Sequence, residues 1–430
     1  MIFHRGRYVD ALIRKQWNGR IKVITGIRRC GKSTVLFDLF RTALVTGGVD
    51  PDHIVAVALD DDRWRDLRDP YALADHLRSR IGNSGEKYYV FLDEIQYAIS
   101  REELRDPDRP VRLYDVLNGL LHSGNADVYV TGSNSKLLSR DISTEFRGRG
   151  DVVHVHPLSF REFLDFSGMD VRDAYDEYAT FGGMPYLLSL KDDDEKFQYL
   201  DSLFEEIYFK DIESRYGIRL PGVLRELTSC LCSAVGSLTS AARIARTVSS
   251  TRGRRTDPET ISAYLGYLTD SFLFSRADRY DVKGRRYFDY PSKYYCADVG
   301  LRNVRLGLRQ QEPTHIMENI IYNELLIRGF AVDVGNLEVL EPGPEGKRSQ
   351  KILEVDFIAR RGSRKYYIQS ALSMDDEDKE RTELRPLLAI DDSFRKVVVS
   401  RTYGRSWTDD KGILRLGLLD FLTDEGSLDR

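Results

Sequence analysis

The chain has 430 residues, 41% apolar and 31% charged, with a net charge of −4 and a pI near 6.1. That length exceeds one ordinary hydrophobic core and implies about two to four domains. The charge balance excludes a global positive field that would steer the chain onto DNA or anionic lipid, so any nucleic-acid surface has to be a local patch.

The N-terminal stretch MIFHRGRYVDALIRKQ has no apolar core of the secretory type, and no run of about 18 apolar residues occurs anywhere. A cytoplasmic protein without a membrane segment is expected. Cys30, Cys230, Cys232 and Cys296 show no CxxC spacing, which disfavours a zinc site and points to free thiols in a reducing compartment.

In chain order, five apolar runs come first: IKVIT (21–25), IVAVAL (54–59), YYVFL (88–92), DVYVT (127–131) and VVHVH (152–156). Their nearly continuous β-branched and aromatic character is that of strands buried on both faces. Helical patterns alternate with them; in KSTVLFDLFRTAL the residues Val35, Leu36, Leu39, Phe40, Ala43 and Leu44 form one stripe. The fold class predicted for 1–168 is therefore α/β, a parallel doubly wound sheet.

Residues 169–216 read as a helical lid or linker broken by a GGMP turn at 182–185. From 217 to 304 come shorter helices, then a hairpin turning near Lys283-Gly284, an order that suggests a winged helix. Residues 305–430 read as a second, smaller α/β unit with a surface loop at 341–351. There is no internal repeat and no low-complexity tract.

Gly26-Ile27-Arg28-Arg29-Cys30-Gly31-Lys32-Ser33 matches GxxxxGK[ST] between a strand and a helix, and Thr34 completes the candidate nucleotide contacts. Glycines let backbone N–H groups turn inward around phosphates, and a helix N-terminus adds a favourable dipole. Lys32 is the candidate for the β- and γ-phosphates and Ser33 for Mg²⁺. The run YYVFLDE ends in Asp93, a second Mg²⁺ candidate, and Glu94, the candidate base for an attacking water. The strand IVAVAL intervenes between these motifs, as in the additional-strand ATPase class that includes AAA+ machines. In VTGSNSKLL, Ser133 or Asn134 is the candidate polar sensor, with Thr131 ranked below them. Arg149, and after it Arg147, is a candidate arginine finger acting on a neighbour's nucleotide; a structural ion pair is the alternative for each. No NKxD guanine signature occurs, so ATP is the expected nucleotide.

GIRRCGKSTVL, YVFLDEIQ, TGSNSKLLS, FRGRGDVVHVHPLSFREFL and FGGMP together resemble the prokaryotic AAA+-type ATPases that carry a C-terminal domain of unknown function. The resemblance covers most of the chain and is most specific over 21–166. It implies an ATP-binding core, a winged-helix middle region and a C-terminal module similar to the PD-(D/E)xK nuclease fold. That site needs two carboxylates for metal and a nearby lysine. Glu318 and Asp356 match the carboxylates, but Gln369 and Ala371 stand where ExK belongs, so a degenerate, non-cutting module is expected unless Lys365 or Lys351 substitutes.

Arg243, Arg246, Arg252, Arg254 and Arg255 near the expected recognition region, with Lys283, Arg285 and Arg286 at the hairpin tip, form a candidate DNA-backbone face. The alternatives are a solvated face balanced by Asp257, Asp278 and Asp281, or a contact between subunits. The expected function is a homo-oligomeric ATPase, a hexamer being one such assembly, that binds or remodels DNA. A nucleotide-controlled switch on a protein partner and an ATP-coupled nuclease are the alternatives.

Overall fold

The computed structural model describes residues 5–82, 85–100, 102–103, 109–132, 150–253, 255–284, 287–342 and 348–430. The chain divides into two compact units. The first comprises Met1–Pro157, Glu205–Arg219 and Asp270–Phe272; the second comprises Leu158–Phe204, Leu220–Thr269 and Leu273–Arg430.

The first unit is built on a five-stranded parallel sheet of β1 (Ile21–Thr25), β2 (Ile54–Ala58), β3 (Tyr88–Asp93), β4 (Ala126–Thr131) and β5 (Gly150–His154). The spatial order is β2-β3-β4-β1-β5. All residues of β1 and β4 are buried, which explains why these strands read as unbroken apolar runs. The strand standing between the two motif strands is β4; IVAVAL, which intervenes in sequence, lies at the sheet edge as β2. One polar pair interrupts the apolar interior. Lys22 of β1 is ion-paired with Asp127 of β4, and Asp127 also accepts bonds from the Tyr129 hydroxyl at 2.7 Å and the Trp17 N–H at 3.0 Å. Burial lowers the Lys22 pKa and Asp127 opposes that shift, so the pair fixes β1 beside β4 at a cost in desolvation.

The second unit contains a mixed eight-stranded sheet in the order β12-β13-β11-β10-β9-β8-β6-β7. Its strands are β6 (Phe274–Asp281), β7 (Tyr287–Cys296), β8 (Ala331–Pro342), β9 (Arg348–Arg361), β10 (Arg364–Ala371), β11 (Arg395–Ser400), β12 (Trp407–Thr408) and β13 (Ile413–Gly417). Two results differ from the sequence reading. The hairpin β6–β7, expected with the middle helices, is also the edge of this sheet, since Arg279–Asp281 pair in parallel with Val334–Asn336. Of the loop expected over 341–351, residues 341–342 and 348–351 are paired strand, with Pro342 opposite Arg348, and residues 343–347 lie outside the described residues. The helix Pro313–Ile327 is buried along nearly its whole length, and Glu377–Leu388 covers a core of Val355, Ile358, Tyr367, Val398 and their neighbours. Among the described residues no helix is long and apolar enough to cross a membrane.

The GGMP break has a definite cause. Asp298 caps the helix Val299–Arg305 by accepting from the Leu301 N–H at 3.1 Å, and its other oxygen accepts from the Gly183 N–H at 2.6 Å. A side chain at Gly182, whose φ is +78°, would collide with that carboxylate. Burial pushes the Asp298 carboxyl up to about 6, against the pull of those N–H donors. Between the unfolded value of 3.8 and about 6 the folded state binds the extra proton, so this carboxyl contributes more stability as pH falls. The unfolding free energy of the native chain, relative to Asp298→Asn, is expected to rise by about 2 kcal/mol from pH 7 to pH 4. Denaturant titrations of both proteins across that range check it, and a difference that is flat or falls toward acid contradicts it.

Candidate functional site

The phosphate-loop sequence connects β1 to a helix that runs Thr34–Phe40 in π form and continues as Arg41–Thr46. Two backbone features require glycine: Gly26 lies at φ +144°, where a Cβ would collide with the Val155 carbonyl, and Gly31 lies at φ +97°. Arg29, between them, also has positive φ, at +68°. Lys32 is buried and its ammonium donates to the carbonyls of Gly26 at 3.0 Å and Ile27 at 3.1 Å, folded back on its own loop. The Cys30 thiol donates to the Val155 carbonyl at 3.2 Å and burial pushes its pKa up, so it is a packing group rather than a nucleophile.

The acidic side of the site closes through one hydroxyl. Thr131, at the end of β4, donates to the Asp93 carboxylate and accepts from the Glu94 N–H at 2.9 Å. Ser33 stands close enough to Asp93 to oppose the rise of its pKa. Burial raises the Asp93 pKa, the Thr131 bond and Ser33 oppose the shift, and the charges of Glu94 and Asp60 add to it. Glu94 adopts the left-handed conformation at φ +50°, which costs on the order of 1 kcal/mol, and its carboxylate accepts from the Gln96 amide. The structure thus brings Lys32, Ser33, Asp93 and Glu94 to one edge of the sheet and adds Thr131, which the sequence reading had ranked below Ser133 and Asn134. Ser133, Asn134, Arg147 and Arg149 lie outside the described residues.

Three further features around the loop escaped the sequence reading. Arg5, buried, donates to the carbonyls of Cys30 at 2.8 Å and His156 at 2.7 Å. Arg28 pairs with Asp211 at 2.8 Å, and the Tyr208 hydroxyl donates to the Arg28 carbonyl at 3.2 Å, so part of the expected 169–216 linker belongs to the first unit. His154 meets the Thr25 hydroxyl at 2.8 Å; burial, and then the Lys32 charge, push it down to about 4, so it is neutral.

This geometry fits a phosphate chain and a divalent cation. The loop has no room for a side chain at Gly26, its lysine donates to two loop carbonyls, and the Ser33 hydroxyl stands beside the buried Asp93 carboxylate.

In the second unit, Glu318 and Asp356 come together, but around a residue that the sequence reading missed. The Lys293 ammonium of β7 lies 3.0 Å from Glu318, 2.8 Å from Glu354 and 3.7 Å from Asp356. The Tyr295 hydroxyl donates to Glu318 at 2.8 Å, and the Ser370 N–H donates to Asp356 at 2.9 Å. Burial pushes Asp356 up to about 8, partly offset by Lys293. Gln369 turns elsewhere, its amide donating to Glu383 at 3.1 Å, while Ala371 is buried in the core. Lys365 pairs with Asp392 at 3.8 Å and Lys351 is exposed on β9, so neither takes the missing lysine's place. The one available signal was Lys293 itself, the one cation of an aromatic strand, two residues from Tyr295 on the same face.

The candidate DNA residues are spread over several elements. Arg252 ends the helix Ala241–Arg252 and lies against Gly222, Arg255 is exposed 3.7 Å from Asp257, and Lys283 reaches the Glu338 carbonyl at 3.4 Å. Arg254, Arg285 and Arg286 lie outside the described residues. The third middle helix, Pro258–Asp270, carries no Lys or Arg, so the basic run sits on the second helix and the turn after it.

The parallel sheet order, the glycine loop and the Asp93–Glu94 edge define an α/β P-loop protein of the AAA type. An AAA domain profile matches residues 18–164, and a domain of unknown function (DUF8612) matches residues 172–312. The chain belongs to the same family as an uncharacterized protein of Haemophilus influenzae, 31% identical over 423 residues that cover 97% of this chain and 98% of the relative. A second uncharacterized protein, MJ1544 of Methanocaldococcus jannaschii, is 28% identical over 378 residues, covering 84% of this chain and 77% of that protein. Among solved structures, the Aeropyrum pernix ORC1 protein in complex with DNA aligns with 71% of this chain and 93% of its own at 12% identity and a TM-score of 0.31. An overlap of that size assigns no partner to this chain.

Thr131→Val removes the hydroxyl while keeping the shape. It is expected to lower the unfolding free energy by about 1–3 kcal/mol, because a buried carboxylate and the Glu94 N–H both lose a partner. Thr131→Ser is expected to restore most of it. Equal denaturant midpoints for all three proteins contradict the bridging role.

Proposed function

We propose that this protein is an ATP-hydrolysing AAA-type ATPase that works as a homo-oligomer to bind or remodel DNA. The observation that carries the reading is the Ser33–Asp93–Thr131–Glu94 network directly beside the buried Lys32. Lys32 and the loop N–H groups would hold the phosphates of ATP, and Ser33 and Asp93 would hold Mg²⁺, which supplies charge neutralisation at the phosphates when bound. Glu94 would accept a proton from the attacking water, its position set by Thr131 and Gln96. In the reading favoured here, Asn134 senses the phosphate and Arg149 reaches a neighbour's nucleotide.

Three helices followed by a hairpin, with Thr239 bridging to Ser292, support a winged-helix reading of 217–304. The C-terminal region supports a non-cutting nuclease-like module, since Glu318 and Asp356 converge without an ExK lysine. Arg252, Arg254, Arg255, Lys283, Arg285 and Arg286 would supply backbone contacts to DNA. A second reading, a nucleotide-state switch acting on a protein partner, is favoured by the cation-free third helix, which is where a winged helix reads a groove.

Lys32→Ala is expected to abolish ATP binding, and Glu94→Gln to keep binding while slowing hydrolysis by about 10²-fold or more. Tight ATP binding by Lys32→Ala overturns the loop assignment. A steady-state ATPase rate that no single-stranded, duplex or branched DNA changes, with no low-salt mobility shift, overturns the DNA reading and leaves the partner switch.

A further inference from the structure

Lys293 is an enclosed charge of the second unit that no ATPase step uses: its side chain is 2% exposed, and it rises from β7 into a space bounded by three carboxylates. Those carboxylates come from two elements, Glu318 from the helix Pro313–Ile327 and Glu354 and Asp356 from the same face of β9. An ammonium has three N–H donors, and here three acidic groups surround it at 2.8–3.7 Å. Each wall of the space is fixed. Tyr295 holds Glu318, the Ser370 N–H holds Asp356, and a Cβ at Gly236 would lie 2.7 Å from Glu318 Oε2, so only glycine lets that backbone close over the site. Glu354 is the most exposed of the three carboxylates, its side chain 34% exposed.

Oxygen-rich clusters of this kind suit Mg²⁺ or Mn²⁺. As they stand, no three acidic or His/Cys side chains among the described residues are placed to hold a metal ion, and at this cluster an ammonium stands between the three carboxylates. We propose that Lys293 is the resident cation of this carboxylate cluster, taking the place that a divalent metal would fill, and that the C-terminal unit is thereby held in a metal-independent form. Any Mg²⁺ dependence of the whole chain then belongs to the phosphate-loop site. The inference deepens the reading of the module as non-cutting and fails separately from it.

The test is Mn²⁺ binding to the nucleotide-free full-length protein, followed by electron paramagnetic resonance and calorimetric titration, with Asp356→Asn as the control for the site. The native chain is expected to show no Mn²⁺ site that Asp356→Asn removes. Lys293→Ala vacates the space and is expected to gain one, at least tenfold tighter than any site in the native chain, lost again when Asp356→Asn is added. Lys293→Met keeps the space filled by an apolar chain and is expected to gain none. Removing one partner of a buried ion pair is costly, so refolding yield with and without Mn²⁺ is measured in parallel; recovery of Lys293→Ala in Mn²⁺ alone is the same site read as stability. The proposal is overturned if the native chain binds Mn²⁺ at an Asp356-dependent site. It is equally overturned if Lys293→Ala gains no Mn²⁺ site, or recovers in neither condition while Lys293→Met folds. Mn²⁺-dependent DNA cleavage by the native chain would sink the non-cutting reading as well; binding without cleavage would sink the lysine proposal alone.

Discussion

The nucleotide-facing edge of this protein depends on a steric fact: the backbone at Gly26 lies so close to the Val155 carbonyl that no side chain fits between them. That approach sets where the loop leaves β1, and with it where Lys32 and Ser33 fall relative to Asp93. Arg5 reinforces it from outside, tying the carbonyl of Cys30 to that of His156 through one buried guanidinium. A loop held by its own scaffold loses little conformational freedom when a ligand arrives, the general advantage of preorganisation. The left-handed Glu94 belongs to the same edge, and the Thr131 hydroxyl supplies the compensating bond that lets it persist.

Two buried lysines show how a low-dielectric interior uses charge for different ends. Lys22 has one carboxylate, itself held by Tyr129 and Trp17, and the pair locks two adjacent strands in register. Lys293 has three carboxylates and so sits in an excess of negative charge, where the carboxyl beside it resists ionisation. The first arrangement is a fastener; the second is a filled binding site. Composition treats the two residues alike, as lysines within apolar strands.

What was legible in the sequence follows from how far apart the interacting residues lie. β1 to β5 were readable because parallel strands buried on both faces are apolar along their length, and the phosphate loop because its glycines, lysine and serine are contiguous. Glu318 and Asp356, singled out through resemblance to a nuclease-like fold, stand around one buried lysine. Arg5, Tyr208, Asp211 and Lys293 were missed, and Thr131 was ranked below Ser133 and Asn134, because their partners lie 25 to 183 residues away and nothing local distinguishes them from surface or core residues. The GGMP glycines read as a turn, but the reason for them, the Asp298 carboxylate, stands 115 residues downstream. At 341–351 the composition is that of a loop, but residues 341–342 and 348–351 follow partner strands, because the pairing partners of those flanks are not adjacent in sequence.

The path of the chain between the two units has a consequence for the order of synthesis. The first unit is not finished at Pro157; it needs Glu205–Arg219 and Asp270–Phe272, and the residues in between belong to the second. On the ribosome, Glu205 follows Pro157 by 48 residues, an interval of about 2–10 s at roughly 5–20 residues per second. Throughout that interval Arg28 waits without Asp211, and the phosphate loop emerges well before the segment that braces it. A nascent chain stalled there would present a bare nucleotide-binding loop to the cell. The order of translation therefore sets when Arg28 first meets Asp211.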